Sequence, residues 1–165
     1  MNSVFRGAII LDSDLYCTFI ILNQFYSNIT YSEMHPMQIV IKFVHTTFLL
    51  FNSGKCRFMG KSDLNTVSII LDNIVKCLDT SISIPLTIST QTVSFQLDVV
   101  HLNLHNIAKC IPNCMFEAEL FPALTIDLWK PLHVNVFASG KVIILGKDSV
   151  HMKPVIEEWL LSKLK

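Results

Sequence analysis

The feature that most constrains the fold of this chain is a motif that occurs twice. Residues 51–61 read FNSGKCRFMGK, and residues 137–147 read FASGKVIILGK. The two stretches start 86 residues apart and are identical at six of their eleven positions. A repeat at this distance in a chain of 165 residues predicts two copies of one structural unit. Because neither copy is large, we expect both to contribute to one continuous apolar core.

Hydropathy argues against a membrane helix. Apolar residues make up 51% of the chain and charged residues only 16%. The longest apolar stretch, residues 39–51, is interrupted by Lys42 and His45 and is shorter than the ~20 residues that cross a bilayer. The apolar run that ends at Asp12 is too short for a signal peptide. We therefore expect a soluble, intracellular protein whose five cysteines are reduced.

The charge is balanced in both halves of the chain. Thirteen basic residues face thirteen acidic ones, with six of each sign up to residue 82 and seven of each after it. Nucleic-acid-binding proteins usually carry a basic excess, because neutralisation of phosphates supplies much of their affinity. Charge alone therefore argues against tight binding to nucleic acid.

The apolar periodicity predicts a strand, a helix, three strands and a second helix in the first half. These elements are expected at residues 2–10, 12–25, 37–44, 46–51, 55–59 and 62–78. Asp14 and Asp63 are typical N-cap residues, and Gly54 is typical of a tight hairpin because glycine accepts a positive φ. Residues 28–36 are rich in turn formers and are expected to form no strand.

The second half repeats this plan. A strand near Val93, a helix over residues 99–108 and strands around Phe116, Thr125, Val136 and Ile143 are expected. A final helix over residues 149–164 is expected to bury Val155, Trp159 and Leu160. The repeats are placed at residues 1–82 and 83–165, with the junction within residues 80–85. Helices on one face of an antiparallel sheet give an α+β fold and leave the other face of the sheet free.

Several stretches resemble the core domain of the TATA-box-binding protein (TBP) family. Residues 117–124 read EAELFPAL, residues 130–131 read KP, and residues 137–146 read FASGKVIILG, as in that family's second repeat. Residues 45–55, HTTFLLFNSGK, are similar to the first repeat, and Asn2 precedes the Asp14–Leu15 pair at the family's spacing. The resemblance covers nearly the whole chain, strongly at residues 46–60 and 117–146 and loosely at 16–44 and 62–90.

The resemblance implies a saddle made of two pseudo-symmetric repeats, with a curved antiparallel sheet and helices on its convex face. In that family the concave face lies in the minor groove of AT-rich DNA, and aromatic wedges kink the duplex. The implied function is that of a divergent transcription initiation factor, which acts at the site of transcription: the nucleus or, for a virus, the host nucleus or a cytoplasmic factory. The family catalyses no reaction and needs no cofactor, so none is expected here.

The resemblance also assigns site residues. Phe121 and Phe137 take the wedge positions of the second repeat, and Phe51 takes the inner wedge position of the first. The outer position of the first repeat falls at Met34 by the family's spacing, or at His35 by the internal repeat. The full set assigned to DNA is Asn2, Val4, Met34, Phe51, Ser53, Lys55, Met59, Gln91, Val93, Phe121, Phe137, Ser139, Lys141 and Leu145.

The chain departs from the family at polar and charged positions of this set. Two threonines at the centre of the groove are replaced by Met59 and Leu145, and an asparagine by Gln91. The basic residue six positions after each outer wedge is replaced by Val40 and Asp127. An aspartate near phosphate is repulsive by about 1 kcal/mol even with screening. We therefore expect weak intrinsic affinity for DNA.

A partner site is better preserved. In the family, two acids and a leucine before the Phe–Pro pair contact a transcription factor IIB-like protein, and here they are Glu117, Glu119 and Leu120. Carboxylates can accept bidentate hydrogen bonds from arginine, and a leucine can anchor an apolar contact. This retention indicates a factor that depends on its partner for promoter binding.

Other interpretations of the same residues stay open at this point. The phenylalanines could belong to the core, and the two glutamates could be a solvated edge that prevents aggregation. His101, His105, Cys110 and Cys114 could form a zinc site if the histidines share a helix face. The chain could be a protein-interaction module that has lost DNA binding, or an accessory domain of a nucleic-acid enzyme. No catalytic constellation or phosphate loop is recognisable.

Overall fold

The structure, a computed structural model that describes residues 1–164, contains the same series of elements twice. The first series is β1 (Asn2–Ile9), α1 (Leu15–Leu22), β2 (Ile29–Ser32), β3 (Gln38–Lys42), β4 (Thr46–Phe51), β5 (Lys55–Gly60) and α2 (Leu64–Cys77). The second is β6 (Ile82–Gln96), α3 (Leu104–Cys110), β7 (Cys114–Met115), β8 (Ala123–Ile126), β9 (His133–Phe137), β10 (Lys141–Gly146) and α4 (Ser149–Lys163). The predicted α+β class is confirmed.

The chain divides into two compact units. The first contains Asn2–Ser89, and the second contains Met1 and the chain from Thr90 onwards. Strand β6 begins at Ile82, within residues 80–85 where the junction was expected, and the two units divide between Ser89 and Thr90, inside this strand.

Strand order is the same in both units. The first has the order β2-β3-β4-β5-β1, and the second has the order β7-β8-β9-β10-β6, with every described pair antiparallel. Each element of the first unit therefore has a counterpart in the second, and equivalent residues can be assigned from strand register.

Each unit has a core on one face of its sheet. Along β4, Thr46, Phe48 and Leu50 are buried while the residues between them are partly exposed, the alternation that a strand with one covered face produces. The first core includes Phe48, Phe58, Leu71 and Ile74, and the second includes Leu124, Val134, Ile144, Ile156 and Leu160. The expectation of one continuous core was wrong, because each unit forms its own apolar cluster between its helices and its strands.

The repeated Ser-Gly-Lys motif forms the β4–β5 and β9–β10 hairpins. Gly54 and Gly140 both have a φ of 84°. A Cβ at Gly54 would lie 2.3 Å from the carbonyl oxygen of Ile9, and a Cβ at Gly140 would lie 2.6 Å from Cγ2 of Val99. Positive φ and close packing both require glycine at these two turns.

The helix starts follow the cap residues. The backbone N–H of Cys17 donates to Asp14 at 2.7 Å, and that of Thr66 donates to Asp63 at 2.8 Å. These hydrogen bonds lower the pKa of both carboxyl groups. Helix α3 starts later than predicted because its N-cap is Asn103, whose side chain accepts from the N–H of Asn106 at 3.1 Å.

Three other predictions were wrong. Residues 29–32 form β2 instead of a turn, because Ile29 and Tyr31 pack against the first core. Helix α1 ends at Leu22, before Phe25. On α4 the buried stripe is Ile156 and Leu160, and Val155 is exposed since one residue turns a helix by about 100°.

No helix within residues 1–164 combines the length and the apolarity that crossing a bilayer would require.

Candidate nucleic-acid interface

Each sheet has a face that its own helices do not cover, which we call the open face. Strand alternation and register place Val4, Arg6, Val40, Lys42, Thr47, Leu49, Phe51, Lys55, Arg57 and Met59 on the first open face. They place Thr92, Ser94, Thr125, His133, Asn135, Phe137, Lys141, Ile143 and Leu145 on the second. Half of the residues assigned to DNA by the resemblance are among them: Val4, Phe51, Lys55, Met59, Phe137, Lys141 and Leu145.

Phe121 and Phe137 form a ring pair outside the core. Their centroids lie 6.1 Å apart with an interplanar angle of 66°, and Phe121 is 43% exposed. The N–H of Phe121 donates to the carbonyl oxygen of Glu117 at 2.9 Å, and this hydrogen bond holds the backbone of Phe121, the residue at the outer wedge position. Phe137 ends β9 on the open face, so the alternative that these phenylalanines are core residues is wrong.

The first unit presents one ring where the second presents two. Phe51 ends β4 and is partly exposed, with Cζ of Arg57 5.7 Å from its ring centroid. Met34 precedes β3 and is 81% exposed, and His35 is also exposed. The outer position of the first unit is therefore occupied by an accessible thioether or imidazole rather than by an aromatic hydrocarbon.

The two hairpins present matching serine and lysine residues. The N–H of Lys55 donates to Oγ of Ser53 at 3.4 Å, and the N–H of Lys141 donates to Oγ of Ser139 at 3.4 Å. All four side chains are exposed at the hairpin tips. Two equivalent cationic edges result, one in each unit.

Strand register corrects two assigned residues. Val4 pairs with Met59, and the equivalent pair in the second unit is Thr92 with Leu145. Val93 is only 7% exposed and lies on the core side opposite Ile144, so it is not on the open face. Thr92 therefore takes the position that the resemblance assigned to Val93, because that assignment was one residue out of register.

The same shift applies to the assigned asparagine position. Two residues before Val4 is Asn2, which is exposed, and two residues before Thr92 is Thr90. Gln91 pairs with Gly146 instead, and its Nε2 lies 4.0 Å from Sδ of Met1. Thr90, rather than Gln91, is thus the counterpart of Asn2.

Asp127 on the second unit is neutralised locally. Its Oδ1 lies 3.1 Å from Nδ1 of His133, and its Oδ2 lies 3.4 Å from Nζ of Lys130. The hydrogen bond to His133 and the charge of Lys130 lower the pKa of Asp127. The repulsion expected from this aspartate is reduced by two neighbours that sequence reasoning did not identify.

The first unit keeps a basic residue at the corresponding place. Ile41 on β3 pairs with Phe48, and Ile126 on β8 pairs with Val134, so Ile41 and Ile126 are equivalent positions. The next residues, Lys42 and Asp127, are therefore equivalent as well. Lys42 is exposed on the first open face. Lys42, two residues after Val40 on β3, therefore supplies the positive charge that Val40 lacks.

Arg6 and Arg57 are functional candidates that sequence reasoning missed. They are directly opposite each other on β1 and β5 and are both exposed. Only the pairing of two strands that are distant in sequence brings them together, so no local pattern could have shown it.

The residues assigned to a protein partner form an exposed loop. The N–H groups of Leu120 and Phe121 both donate to the carbonyl oxygen of Glu117 at 2.9 Å. Leu120 is 80% exposed, and the loop borders a shallow cavity of about 490 Å³ beside His105. Among residues 1–164 the described ion pairs belong to Asp127, and the exposed Glu117 and Glu119 take part in none of them.

The possible zinc ligands do not form a site in the described chain. His101 lies before α3 and does not share its helix face with His105. Sγ of Cys114 donates to the carbonyl oxygen of Ile111 at 3.0 Å. No group of three or more metal-binding side chains is present among residues 1–164.

Comparison with known proteins agrees with this geometry. The sequence model of the family described as "Transcription factor TFIID (or TATA-binding protein, TBP)" matches residues 87–160. The TATA-box-binding protein of Thermococcus sibiricus is 30% identical over 108 residues, which cover 62% of this chain and 58% of that protein. TATA-box-binding protein 1 of Methanosarcina acetivorans is 31% identical over 111 residues, covering 62% and 60%.

A solved structure extends the similarity to the whole fold. The structure of Methanococcus jannaschii TBP matches with a TM-score of 0.74 and 25% identity, covering 99% of this chain and 95% of that one. The fold of this chain, with its open sheet faces, is therefore the TBP-like α+β fold. This chain is similar to TATA-box-binding proteins in sequence and in fold, and its aligned region spans less than two thirds of the length of the curated relatives above.

Proposed function

We propose that this protein is a transcription initiation factor that binds AT-rich DNA in the minor groove, bends it, and recruits a transcription factor IIB-like partner. The observation that carries the proposal is the Phe121–Phe137 ring pair, which lies outside the core with its outer ring 43% exposed. Two apolar rings in contact at the end of an open sheet face form an accessible apolar patch, and such patches are surfaces through which proteins contact ligands.

The ring pair suits insertion between base pairs. Unstacking a base step costs about a few kcal/mol, which groove contacts by the rest of the surface must offset. Phe121 and Phe137 already contact each other edge to face, an arrangement that stabilises an aromatic pair by about 0.5–1.5 kcal/mol, so little ordering remains to occur on binding. The Ser53 and Ser139 hairpins would then approach the phosphates through Lys55 and Lys141.

Weak intrinsic affinity follows from the charges. The lysines and arginines on the open faces are few, and the whole chain carries no net charge. In a plot of the logarithm of the binding constant against the logarithm of the salt concentration, the slope is about −0.9 for each phosphate contact. A few contacts therefore give a measurable but shallow slope. We expect detectable binding at low salt and a strong requirement for the partner at physiological salt.

The partner surface proposed is the Glu117–Leu120 loop. Its two carboxylates are free of described ion pairs, and Leu120 projects an apolar side chain into solvent. A partner with an arginine or lysine beside an apolar pocket would satisfy both features. The loop leads directly into Phe121, so a bound partner would also hold the outer ring in place.

The test separates DNA binding from partner binding. The variant Phe121→Ala/Phe137→Ala should lose AT-rich DNA binding and keep binding to a transcription factor IIB-like protein, measured by fluorescence anisotropy and by calorimetry. Phe25→Ala is the matched control, since Phe25 is an exposed phenylalanine in the turn that follows α1 and belongs to no strand of either open face. Equal DNA affinity for the double variant and the control would overturn the proposal.

A second candidate is a protein-interaction module without DNA binding. The observation that favours it is the second open face, where Asp127 replaces a basic residue and Leu145 replaces a polar one, while the Glu117–Leu120 loop remains accessible. Salt dependence distinguishes the two candidates. An interaction module would show no salt-dependent association with any duplex and full binding to its partner.

A further inference from the structure

The two arginines of this chain meet on the first open face. Arg6 and Arg57 are its only arginines and lie far apart in sequence, yet they are directly opposite each other in the β1–β5 pair. Directly opposed side chains on a sheet have Cβ atoms about 4.5–5.5 Å apart. The fold therefore places both guanidinium groups within reach of one small ligand surface.

This arrangement is unfavourable unless something negative lies against it. Like charges directly opposite on a sheet destabilise it. Strands β1 to β5, and residues 82–89 of β6 that also belong to the first unit, contain no aspartate or glutamate, and neither arginine forms an ion pair among the described residues. A shallow cavity of about 310 Å³ borders both arginines, and its lining, which includes Phe51, Lys55 and Thr87, is also free of acids.

The second unit has no such pair. The row of residues across the first open face through the arginines is Val40, Leu49, Arg57 and Arg6. The equivalent row in the second unit is Thr125, Asn135, Ile143 and Ser94. That row is uncharged, and Oγ1 of Thr125 and Oδ1 of Asn135 lie 3.1 Å apart in a hydrogen bond. The two open faces differ at this row by two positive charges.

Arg57 is also held next to the proposed wedge. Its Cζ lies 5.7 Å from the centroid of the Phe51 ring, and stacking on a ring restricts the side chain. If Phe51 enters the minor groove, as the proposed function requires, the neighbouring guanidinium enters the groove with it.

We propose that Arg6 and Arg57 donate hydrogen bonds to the minor-groove acceptors of A·T base pairs, so that the first unit selects the A·T-rich half of a site and sets the orientation of the protein on DNA. This inference rests on the proposed function and deepens it. Guanidinium groups are donors only. The minor groove of A·T pairs presents only the acceptors adenine N3 and thymine O2, whereas G·C pairs add the N2 amino donor of guanine, which opposes another donor.

The arginine pair also accounts for a loss elsewhere on the face. Met59 stands where the resemblance places a groove-reading threonine, and it contributes neither a donor nor a charge. Arg57 is two residues before Met59 on the same face of β5, and Arg6 is two residues after Val4 on β1. Arg6 and Arg57 thus supply hydrogen-bond donors to the first open face, one row of paired residues away from the Val4–Met59 pair that lacks them.

The test measures orientation on an asymmetric duplex with one A·T half and one G·C half. A donor fluorophore on Cys17, an exposed cysteine of the first unit, reports energy transfer to an acceptor at either end of the duplex, with Cys110 changed to serine. We expect the first unit to lie at the A·T end in preference to the other by about tenfold or more. Replacing guanine by inosine, which lacks the N2 amino group, should remove the preference.

The second unit provides the matched variants. Arg6→Ser with Arg57→Ile copies its residues Ser94 and Ile143 into the first unit and should abolish the preference, as should the milder Arg57→Gln with Arg6→Gln. Adding Ser94→Arg and Ile143→Arg to the first pair should reverse the orientation. Circular dichroism and urea unfolding verify that each variant is folded.

Two results would overturn the inference alone. One is unchanged orientation in the swapped variant while DNA binding and bending remain normal. The other is an equal loss of affinity for all duplexes with a smaller salt slope, which would assign the arginines to phosphates. Failure of the unmodified protein to bind any duplex would instead refute the proposed function and this inference together.

Discussion

Two phenylalanines on one strand should respond to the same substitution in opposite ways. Phe48 and Phe51 both lie on β4, three residues apart, so strand alternation places them on opposite faces of the sheet. Phe48 is fully buried, and its ring centroid lies 4.8 Å from that of Phe58. Phe51 is partly exposed beside Arg57. The pair therefore tests the assignment of the core face and the open face within a single strand.

The magnitudes differ enough to measure. Phe48→Ala removes a fully buried ring and leaves a cavity, which should lower the free energy of unfolding by about 3–5 kcal/mol. Phe51→Ala loses an exposed cation–π contact of about 0.5–1 kcal/mol and some partial burial, so its cost should stay well below that of Phe48→Ala. In DNA binding the order should reverse, because Phe51 is the proposed inner wedge of the first unit.

Urea unfolding followed by circular dichroism gives the stability of each variant, because both tryptophans, Trp129 and Trp159, lie in the second unit. Anisotropy with a labelled AT-rich duplex gives the affinity of the folded fraction. Similar losses of stability for the two variants, within about 1 kcal/mol, would show that Phe51 belongs to the core and that the open face is wrongly assigned. Unchanged DNA affinity for Phe51→Ala would refute its role as a wedge while leaving the face assignment intact.

Three further predictions follow from particular contacts. Gly54→Ala should destabilise the first unit by at least about 1 kcal/mol in urea unfolding, since a Cβ there would meet the carbonyl oxygen of Ile9 at a positive φ; equal stability would refute the hairpin geometry. Burial raises the pKa of the Cys56 thiol to about 11, so a thiol reagent should modify the exposed Cys110 in the native protein well before Cys56, and equal rates would contradict the core assignment. Because contacts lower the pKa of Asp127 in the folded state, wild type should gain stability over Asp127→Asn above the ordinary aspartate pKa and lose that gain as pH falls through the lowered pKa; a difference that persists in strong acid would contradict the pairing with His133 and Lys130.

Much of the fold was predictable from local sequence. The duplicated Ser-Gly-Lys hairpins and the caps at Asp14 and Asp63 are each encoded within a few residues, and the structure has all of them. The apolar periodicity of α2 likewise predicts its buried face, although Leu64 at the start of the helix is exposed. Strand β2 was missed because its four residues lie between turn formers, and only pairing with β3 and contact with the first core stabilise them as a strand.

The candidate site depended more on contacts distant in sequence. Thr92 and Val93 are neighbours with opposite orientations, and only the pairing of β6 with β10 decides which of them shares a face with Leu145. The arginine pair arises from strands about fifty residues apart, and the neutralisation of Asp127 arises from the β8–β9 connection. Sequence patterns identified the open faces, but register determined which residues line them.

The most direct test of the central proposal is the bending of DNA by the intact protein. An AT-rich duplex with a donor and an acceptor at its ends should show increased energy transfer when the protein binds at low salt, because inserted rings kink a duplex by about 20–90°. The increase should disappear in the Phe121→Ala/Phe137→Ala variant and persist in Phe25→Ala. Binding with no change in transfer, or an increase that survives loss of both rings, would contradict the proposed wedge mechanism.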